Sequence, residues 1–169
     1  MEQKAKLFAK EKHKHQKYGE HDYEVHFLEV YSLVKKYQGS FDAIVASLLH
    51  DTIEDTQTTR DEISQEFSPQ IAHIVDLLTD KPGSNRTERH LKTYHRIRQS
   101  EDATLVKLCD RLANMSFCLR MKDYSKAKMY VKEYLPFKFA LYSEVIQHQV
   151  VYEKLDEVHS QLQQMIKGK

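Results

Sequence analysis

Residues 41–56 read FDAIVASLLHDTIEDT and carry a short apolar segment directly into a group of ionisable side chains. The first nine residues are mostly apolar, so we expect them to form a short buried helix. His50 and Asp51 follow at once, and Glu54 and Asp55 come shortly after them. Burying a charge without a partner is costly. A chain that takes a histidine and three carboxylates toward its interior is therefore expected to neutralise them there.

Helical periodicity continues through nearly the whole chain, which predicts an all-α fold. Four glycines and three prolines provide little turn material for a many-stranded sheet. Thr59 followed by Glu62, and Ser68 followed by Pro69, are typical of helix starts. The expected helices span 2–17, 23–37, 41–49, 60–67, 69–79, 86–99, 102–121 and 125–167, with a kink or break at Pro136.

Size and composition favour one domain, spanning residues 1–169, because no linker or repeat interrupts the chain. A formal net charge of +1 gives no reason to expect nucleic acid or an anionic membrane as a partner. No apolar run approaches the roughly 20 residues of a membrane span, and the lysine-rich start is not a secretory signal. The two cysteines lack zinc-ribbon spacing, which fits a reducing, cytoplasmic location. The oligomeric state stays open.

The His50-Asp51 pair is the first candidate for a metal site. A hard divalent cation such as Mn²⁺ accepts an imidazole nitrogen and a carboxylate oxygen together. A His-Asp dipeptide is common by chance, and His21-Asp22 is a second one in this chain. That second pair lies in a polar stretch, where Asp22 is expected to cap a helix. The pair at 50–51 differs because it follows an apolar helix, where unsatisfied charge is unfavourable.

Two more residues would complete such a site. His26 stands between two apolar neighbours in an amphipathic helix, where a histidine is more often an ordinary core or boundary residue. Asp110 shares a helical stripe with Val106 and Ala103, which favours an inward position, although it would also suit a surface pair with Arg111. The resulting set of two histidines and two aspartates leaves room for water and a substrate oxygen; it comprises His26, His50, Asp51 and Asp110.

Glu54 and Asp55 have a separate expected use. Glu54 lies on the same side as His50 and Asp51 if the helix continues. Its carboxylate would then hold or deprotonate a water molecule at the metal. The alternative is a solvated acidic corner formed with Asp61.

Basic residues gather around the segment DKPGSN at 80–85. Charges on an exposed helix usually serve solvation. If the loop overhangs the metal site, however, they would receive phosphate oxygens, which suit Arg forks and Lys point charges. These residues are Lys81, Arg86, Arg89 and Lys92, and the lysines between residues 10 and 17 invite the same two interpretations.

The segments VHFLEV (25–30), LLHDTIEDT (48–56), EISQEFSPQIAHIVDLLTDK (62–81) and LVKLCDRLANM (105–115), in that order, resemble the HD-domain hydrolases of the RelA/SpoT type. The chain is particularly similar to the small stand-alone alarmone hydrolases of that family. The likeness runs from about residue 7 to residue 134, and the combined motifs are far more specific than an HD dipeptide.

The resemblance implies a fold, a reaction and a set of roles. The fold would be a helical HD-domain bundle with a metal site in its core. The reaction would remove pyrophosphate from the 3′ position of guanosine tetra- or pentaphosphate, as in the stringent response, without synthesis. The metal, usually Mn²⁺, would be bound by His26, His50, Asp51 and Asp110, while Glu54 and Asp55 would orient and activate the attacking water.

The resemblance also implies substrate contacts, and the chain departs from the family here. Lys17 and Tyr18 stand where the family usually has a basic pair, and Tyr18 would stack on a base through its ring face. Tyr130 stands where an arginine is usual, while Asn114 would contact the ribose. The expected substrate-binding residues are Lys17, Tyr18, Lys81, Arg86, Asn114, Tyr130 and Tyr134.

These departures leave two alternatives open. The same site would suit another nucleotide, such as an adenosine alarmone, the 2′-phosphate of NADPH or a nucleotide monoester. The chain would otherwise be a non-catalytic nucleotide-sensing HD module. The complete set of candidate ligands and the Glu54-Asp55 pair favour an enzyme.

Overall fold

The computed structural model describes residues 1–81 and 85–168, and within them the chain is helical, as predicted. Its ten helices are joined by short connections, and a hairpin of two strands, each two residues long, follows the first helix. The elements are α1 Glu2–Lys12, β1 Lys17–Tyr18, β2 His21–Asp22, α2 Glu24–Lys36, α3 Phe41–Leu49, α4 Thr52–Asp55, α5 Arg60–Glu66, α6 Pro69–Leu78, α7 Arg86–Ile97, α8 Glu101–Met121, α9 Tyr124–Ala140 and α10 Ile146–Lys167.

Helix α8 is the centre of the bundle. It packs against six other helices, which are α2, α3, α6, α7, α9 and α10. Its buried residues lie on several faces, because a helix surrounded by neighbours has little contact with water. Leu108, Cys109 and Ala113 are fully buried. The functional consequence is that α2, α3 and α8 meet in the interior, and each contributes side chains to one place.

The predicted helix starts at 59–60 and 68–69 are confirmed. The Thr59 hydroxyl accepts a hydrogen bond from the Glu62 backbone N–H at 3.1 Å. The Ser68 hydroxyl accepts one from the Ile71 N–H at 3.1 Å, and Pro69 occupies the first turn. Each side chain satisfies a backbone donor that the first helical turn leaves unpaired.

The prediction that the first helix reaches residue 17 is wrong. Helix α1 ends at Lys12, and the chain turns at His13 into the β1–β2 hairpin. Gly19 has φ of +61°, and a Cβ there would lie 3.3 Å from the Phe117 ring, so the tight turn needs glycine. The hairpin also removes Asp22 from its expected capping role, since its carboxylate pairs with Lys17 instead.

The expected long helix at 125–167 is two helices, and Pro136 does not separate them. Helix α9 continues through Pro136 to Ala140, and the break lies at residues 141–145. Leu141 is fully buried there, and its carbonyl accepts a hydrogen bond from the Tyr152 hydroxyl of α10. The turn is therefore fixed by contacts between the two helices, which a local sequence pattern does not reveal.

Among the residues that the structure describes, none of the helices has both the length and the apolar character needed to cross a membrane.

Candidate active site

Four side chains from α2, α8 and the junction between α3 and α4 converge at the end of α3. His50 and Asp51 form the junction between α3 and α4, His26 comes from α2, and Asp110 comes from α8. His26 Nε2 lies 3.2 Å from His50 Nε2, 3.6 Å from Asp51 Oδ2 and 3.3 Å from Asp110 Oδ1. His50 Nε2 lies 3.0 Å from Asp51 Oδ2 and 3.9 Å from Asp110 Oδ1. The arrangement brings ligand atoms of His26, His50 and Asp51 together, with Asp110 beside the two histidines.

The donor set fits a divalent cation. His50 Nδ1 lies 2.8 Å from the Ser47 carbonyl, an acceptor, so that nitrogen carries the proton and Nε2 presents its lone pair. Histidine ligands of metals typically use their second nitrogen in this way. Donor atoms of His26, His50 and Asp51 all lie within 4.8 Å of one another. Two imidazoles and two carboxylates suit a divalent metal ion.

The pKa shifts of these side chains also favour a bound cation. Burial lowers the pKa of His26, but hydrogen bonds and charge from Asp110 and Asp51 outweigh it and raise that pKa to about 9. Burial works against ionised Asp110 as well, yet Lys107 and the two histidines hold its pKa far below its usual range. Buried carboxylates this close together require positive charge. A metal ion would provide it in place of protons on the histidines.

Neighbouring residues hold Asp110 in place. Lys107 Nζ donates to Asp110 Oδ2 at 2.9 Å, one helical turn earlier on α8. Asn114 Nδ2 donates to Asp110 Oδ1 at 2.6 Å, and Asn114 Oδ1 accepts a hydrogen bond from the Tyr18 hydroxyl at 2.9 Å. The hairpin is thereby joined to α8 through Asn114.

Glu54 and Asp55 lie at the rim of the same site, on the four-residue helix α4. The Glu54 carboxylate accepts a hydrogen bond from the Asp80 backbone N–H at 2.9 Å. Asp55 accepts one from the Gln16 side-chain amide at 2.7 Å. Burial, followed by the negative charge of Asp51, raises the pKa of both carboxyl groups. A raised pKa suits a carboxylate that is to take a proton from water.

A cleft of about 220 Å³ opens over these residues, and its wall is strongly charged. Arg86 is held by Glu133 at 2.9 Å, while Arg111 contacts Glu133 at 3.2 Å and the Tyr94 hydroxyl at 3.1 Å. The remaining cationic groups of the wall are Arg89 and Lys107. The cleft thus pairs a carboxylate-rich floor with cations suited to phosphate oxygens.

A second cleft of about 340 Å³ shares Asn114 and Tyr130 with the first. Its aromatic wall is formed by Tyr18 and Phe117, whose ring centroids are 4.2 Å apart. Tyr18 also lies against the imidazole of His26, at 4.8 Å between centroids. A niche with an aromatic wall beside a charged cleft is a suitable shape for a nucleotide.

Three of the seven expected substrate-binding residues line neither cleft. Lys17 pairs with Asp22 on the exposed hairpin. Lys81 pairs with Asp76 at 3.0 Å. Tyr134 is buried, and its hydroxyl donates to Asp156 of α10 at 2.6 Å, because this face of α9 packs toward α10. The expected overhanging loop falls partly on residues 82–84, which lie outside the described residues.

Several residues of the two clefts were missed by the sequence analysis. Most of them are placed by contacts between segments that are distant in the chain, so the spacing of residues in the sequence does not identify them. Lys107 is an exception, since it stands one turn before Asp110 in the motif LVKLCD. The missed cleft residues include Asp80, His90, Lys107, Arg111 and Phe117. Two further residues were missed behind the cleft: Tyr23 donates its hydroxyl to Asp51, and Gln16 donates its side-chain amide to Asp55.

Known proteins resemble this chain over most of its length. A Xenopus tropicalis protein named guanosine-3′,5′-bis(diphosphate) 3′-pyrophosphohydrolase MESH1 is 37% identical over 145 residues, which cover 82% of this chain and 79% of that protein. The Homo sapiens MESH1 protein is 34% identical over 75% of this chain and 74% of its own length. An Aquifex aeolicus 3′-pyrophosphohydrolase is 35% identical over 75% of this chain, which spans only 19% of that longer protein.

Solved structures share the fold. A protein described as a metazoan ortholog of SpoT that hydrolyses ppGpp superimposes with a TM-score of 0.77 at 23% identity, covering 94% of this chain and 93% of that one. A Listeria monocytogenes protein superimposes with a TM-score of 0.65 at 22% identity, covering 84% and 99%. Residues 5–135 match the family described as "HD domain", a range that contains all four converging side chains. This chain therefore belongs to the HD-domain family and is similar in sequence to the MESH1 proteins.

Proposed function

We propose that this chain is a Mn²⁺-dependent hydrolase that removes pyrophosphate from the 3′ position of (p)ppGpp. The observation that carries the proposal is the convergence of His26, His50, Asp51 and Asp110 below a cleft whose rim holds Glu54 and Asp55. The pyrophosphohydrolase names of the MESH1 and Aquifex relatives support the reaction. We propose further that residues 1–169 form one cytoplasmic domain.

The metal would be held by His26, His50, Asp51 and Asp110. When bound, a divalent ion polarises phosphoryl oxygens and lowers the pKa of water. Mixed nitrogen and oxygen ligands suit Mn²⁺ well. The choice of ion rests on this ligand chemistry.

Glu54 and Asp55 would orient the attacking water and accept its proton. Both carboxylates line the cleft, and burial raises the pKa of each from its ordinary value, toward the pH at which the enzyme would work. Two carboxylates on one short helix fix the water relative to the ligand cluster, because their backbone continues directly from Asp51. Correct orientation of the water contributes to the rate by lowering the entropic cost of attack.

Cations of the charged cleft would meet the negative charge of the transferred group. Arg86 and Arg111 share Glu133, so their guanidinium groups are held in fixed positions before substrate arrives. Fixed charges stabilise a transition state better than mobile ones, since they need no reorganisation. Arg89 lines the same wall and would bind phosphate oxygens directly.

The aromatic niche would receive the nucleobase. Tyr18 and Phe117 line this niche with aromatic rings, and Asn114, already bonded to Asp110 and Tyr18, lines both clefts where a ribose would lie. This niche also motivates a second candidate substrate class. Aromatic rings stack on any base, so another nucleotide with a phosphate ester at the 2′ or 3′ position would fit the same arrangement.

A nucleotide panel tests the proposal. Purified protein with Mn²⁺ is incubated separately with ppGpp, pppGpp, an adenosine analogue, NADPH and a 3′-nucleotide monoester, and phosphate and pyrophosphate are measured apart. We expect pyrophosphate release from ppGpp to be fastest. If phosphate release from NADPH is faster, ppGpp is not the preferred substrate, but the protein is still a hydrolase. Tight nucleotide binding without turnover under any divalent metal would indicate a sensor instead.

A further inference from the structure

Gln16 connects a buried histidine to one of the proposed catalytic carboxylates. Its side-chain Nε2 donates to Asp55 Oδ2 at 2.7 Å. Its Oε1 lies 2.7 Å from His13 Nδ1. The two residues occupy the turn between α1 and the hairpin, some forty positions before Asp55 in the chain. Two hydrogen bonds therefore connect three residues, from buried His13 through Gln16 to Asp55 at the cleft rim.

The direction of these two hydrogen bonds is fixed by chemistry. A carboxylate only accepts hydrogen bonds, so the amide nitrogen of Gln16 must face Asp55 and its oxygen must face His13. His13 must then donate from Nδ1. Burial lowers the pKa of His13, which favours the neutral ring, and the acceptor oxygen of Gln16 beside Nδ1 places the proton on that nitrogen. Each of the three residues thus has one possible role.

The surrounding residues hold the hydrogen-bonded side chains of His13 and Gln16 in place. His13 is only 4% exposed, and its ring lies against Tyr23 at 4.6 Å and near Phe27 at 6.3 Å between centroids. The backbone is pinned as well, because the Gln16 N–H donates to the His13 carbonyl at 2.9 Å and the Tyr23 N–H donates to the Gln16 carbonyl at 3.3 Å. The amide of Gln16 therefore has little freedom to turn.

The same histidine also supports the metal-ligand side of the site. Tyr23, which packs against the His13 ring, donates its hydroxyl to Asp51 Oδ2. One buried imidazole thereby backs two carboxylates, Asp55 through Gln16 and Asp51 through Tyr23. Side chains that orient ligands and bases in this way commonly affect rate without touching substrate.

We propose that His13 and Gln16 are positioning residues that fix the Asp55 carboxylate for hydrolysis. Gln16 occupies Oδ2 of Asp55, which leaves Oδ1 to face water in the cleft. The inference rests on the proposed function, since it assigns Asp55 a role in that reaction. Loss of the Gln16 contact would allow the carboxylate to rotate and would slow turnover, while substrate and metal would still bind.

The protonation of His13 gives a test that needs no substrate. Nitrogen-15 NMR of the imidazole in the wild-type protein distinguishes the two neutral tautomers. We expect the Nδ1–H form, with slow exchange of that proton. In Gln16→Ala the exchange should accelerate. A wild-type ring protonated on Nε2 would overturn the proposal, whatever the activity of the protein.

Steady-state kinetics with ppGpp and Mn²⁺ give the second test. Loss of a hydrogen bond to a charged group predicts that Gln16→Ala and His13→Phe each lower kcat about 10-fold. KM and the melting temperature should stay close to wild type for Gln16→Ala. His13→Asn, whose amide nitrogen reaches the position of Nδ1, should restore most of the rate lost in His13→Phe. The exposed residues Gln65 and His15 provide the matched controls Gln65→Ala and His15→Phe.

Asp55→Asn separates the two proposals. If Asp55→Asn is nearly inactive while Gln16→Ala keeps wild-type kcat, the positioning role is wrong and the proposed function stands. If Asp55→Asn itself keeps wild-type kcat, the proposed role of Asp55 in the reaction is wrong. A His13→Asn variant that is as slow as His13→Phe would also contradict the proposal, because the donor would not matter.

Discussion

His50 illustrates how the backbone determines the chemistry of one residue. It follows the last residue of α3, where its Nδ1 donates to the Ser47 carbonyl one turn back, and its Nε2 is directed toward His26 and Asp51. Asp51 caps α4 without a hydrogen bond from its side chain, which leaves its carboxylate available to the cluster. The ligand roles that we propose for this pair therefore follow from the place where one helix ends and the next begins.

Replacing Glu54 by Gln tests the proposed proton acceptor. The amide oxygen can still accept the Asp80 N–H, so the local fold is preserved. Because the variant cannot take a proton from water, kcat for ppGpp hydrolysis should fall by about 100-fold or more. Asp61→Asn, an exposed aspartate on α5, is the matched control and should keep wild-type kcat. Equal rates for Glu54→Gln and the control would refute this role.

His90 predicts a pH dependence of stability. Burial, followed by the charge of Arg86, lowers its pKa from 6.5 to about 4, although Asp80 opposes the shift. The unfolded chain then binds more protons than the folded chain between pH 6.5 and 4, so the free energy of unfolding falls as pH drops through that window. The contribution is roughly 2–3 kcal/mol.

Urea unfolding at several pH values measures it. His90→Asn cannot titrate, so its free energy of unfolding should change less between pH 6.5 and 4 than that of the wild type. Parallel curves for the two proteins would show that the pKa of His90 is close to its ordinary value.

Site residues could be predicted from sequence where ionisable side chains directly adjoin an apolar segment. Ionisable residues directly after an apolar helix drew attention to His50 and Asp51, and the cluster forms there. Gln16 and Tyr23 gave no such signal, since the partners of both lie many residues away. Tyr134 shows the reverse case, because a matched motif did not reveal that its hydroxyl contacts Asp156 of α10.

At the scale of elements, α7 contributes cations to the cleft. Arg86 and Arg89 both line its wall from the start of this helix. Arg89→Ala should raise KM for ppGpp about 10-fold with little change in kcat, because a charge-assisted contact to phosphate is lost. Lys92→Ala removes a charge from the same helix at a residue that pairs with Glu88 outside the cleft, and should leave KM unchanged. Similar KM values for both variants would contradict a phosphate contact at Arg89.

Element boundaries were predicted well where the side chains themselves cap a helix, as at Thr59 and Ser68. They were predicted poorly where tertiary contacts end a helix. Helix α1 stops at Lys12 because the following turn is held against Tyr23, and the α9–α10 break depends on Leu141 and Tyr152. Pro136, a strong local breaker, is accommodated inside α9.

At the scale of the whole molecule, α8 joins the site to the C-terminal helices. Asp110 lies on α8, and α10 packs along the same helix through buried residues that include Val151 and Leu155. If residues 1–169 form one domain, as we propose, loss of packing in α10 should weaken the whole fold.

Leu155→Ala should lower the free energy of unfolding by about 3 kcal/mol, because it leaves a cavity at a fully buried position. Val150→Ala, on the same helix but 45% exposed, should change it by less than about 0.5 kcal/mol. Urea unfolding followed by circular dichroism and by tyrosine fluorescence should give coincident single transitions for the wild type. Two separated transitions would contradict a single domain.

We propose that a divalent ion held by His26, His50, Asp51 and Asp110 enables hydrolysis. The most direct measurement compares Mn²⁺ binding and pyrophosphate release from ppGpp in wild type, Asp110→Asn and the control Asp61→Asn, with circular dichroism confirming the fold of each. We predict that Asp110→Asn loses both Mn²⁺ affinity and activity by a factor on the order of 100 or more, while the control loses neither. A folded Asp110→Asn protein with wild-type Mn²⁺ binding and wild-type pyrophosphate release would contradict the account.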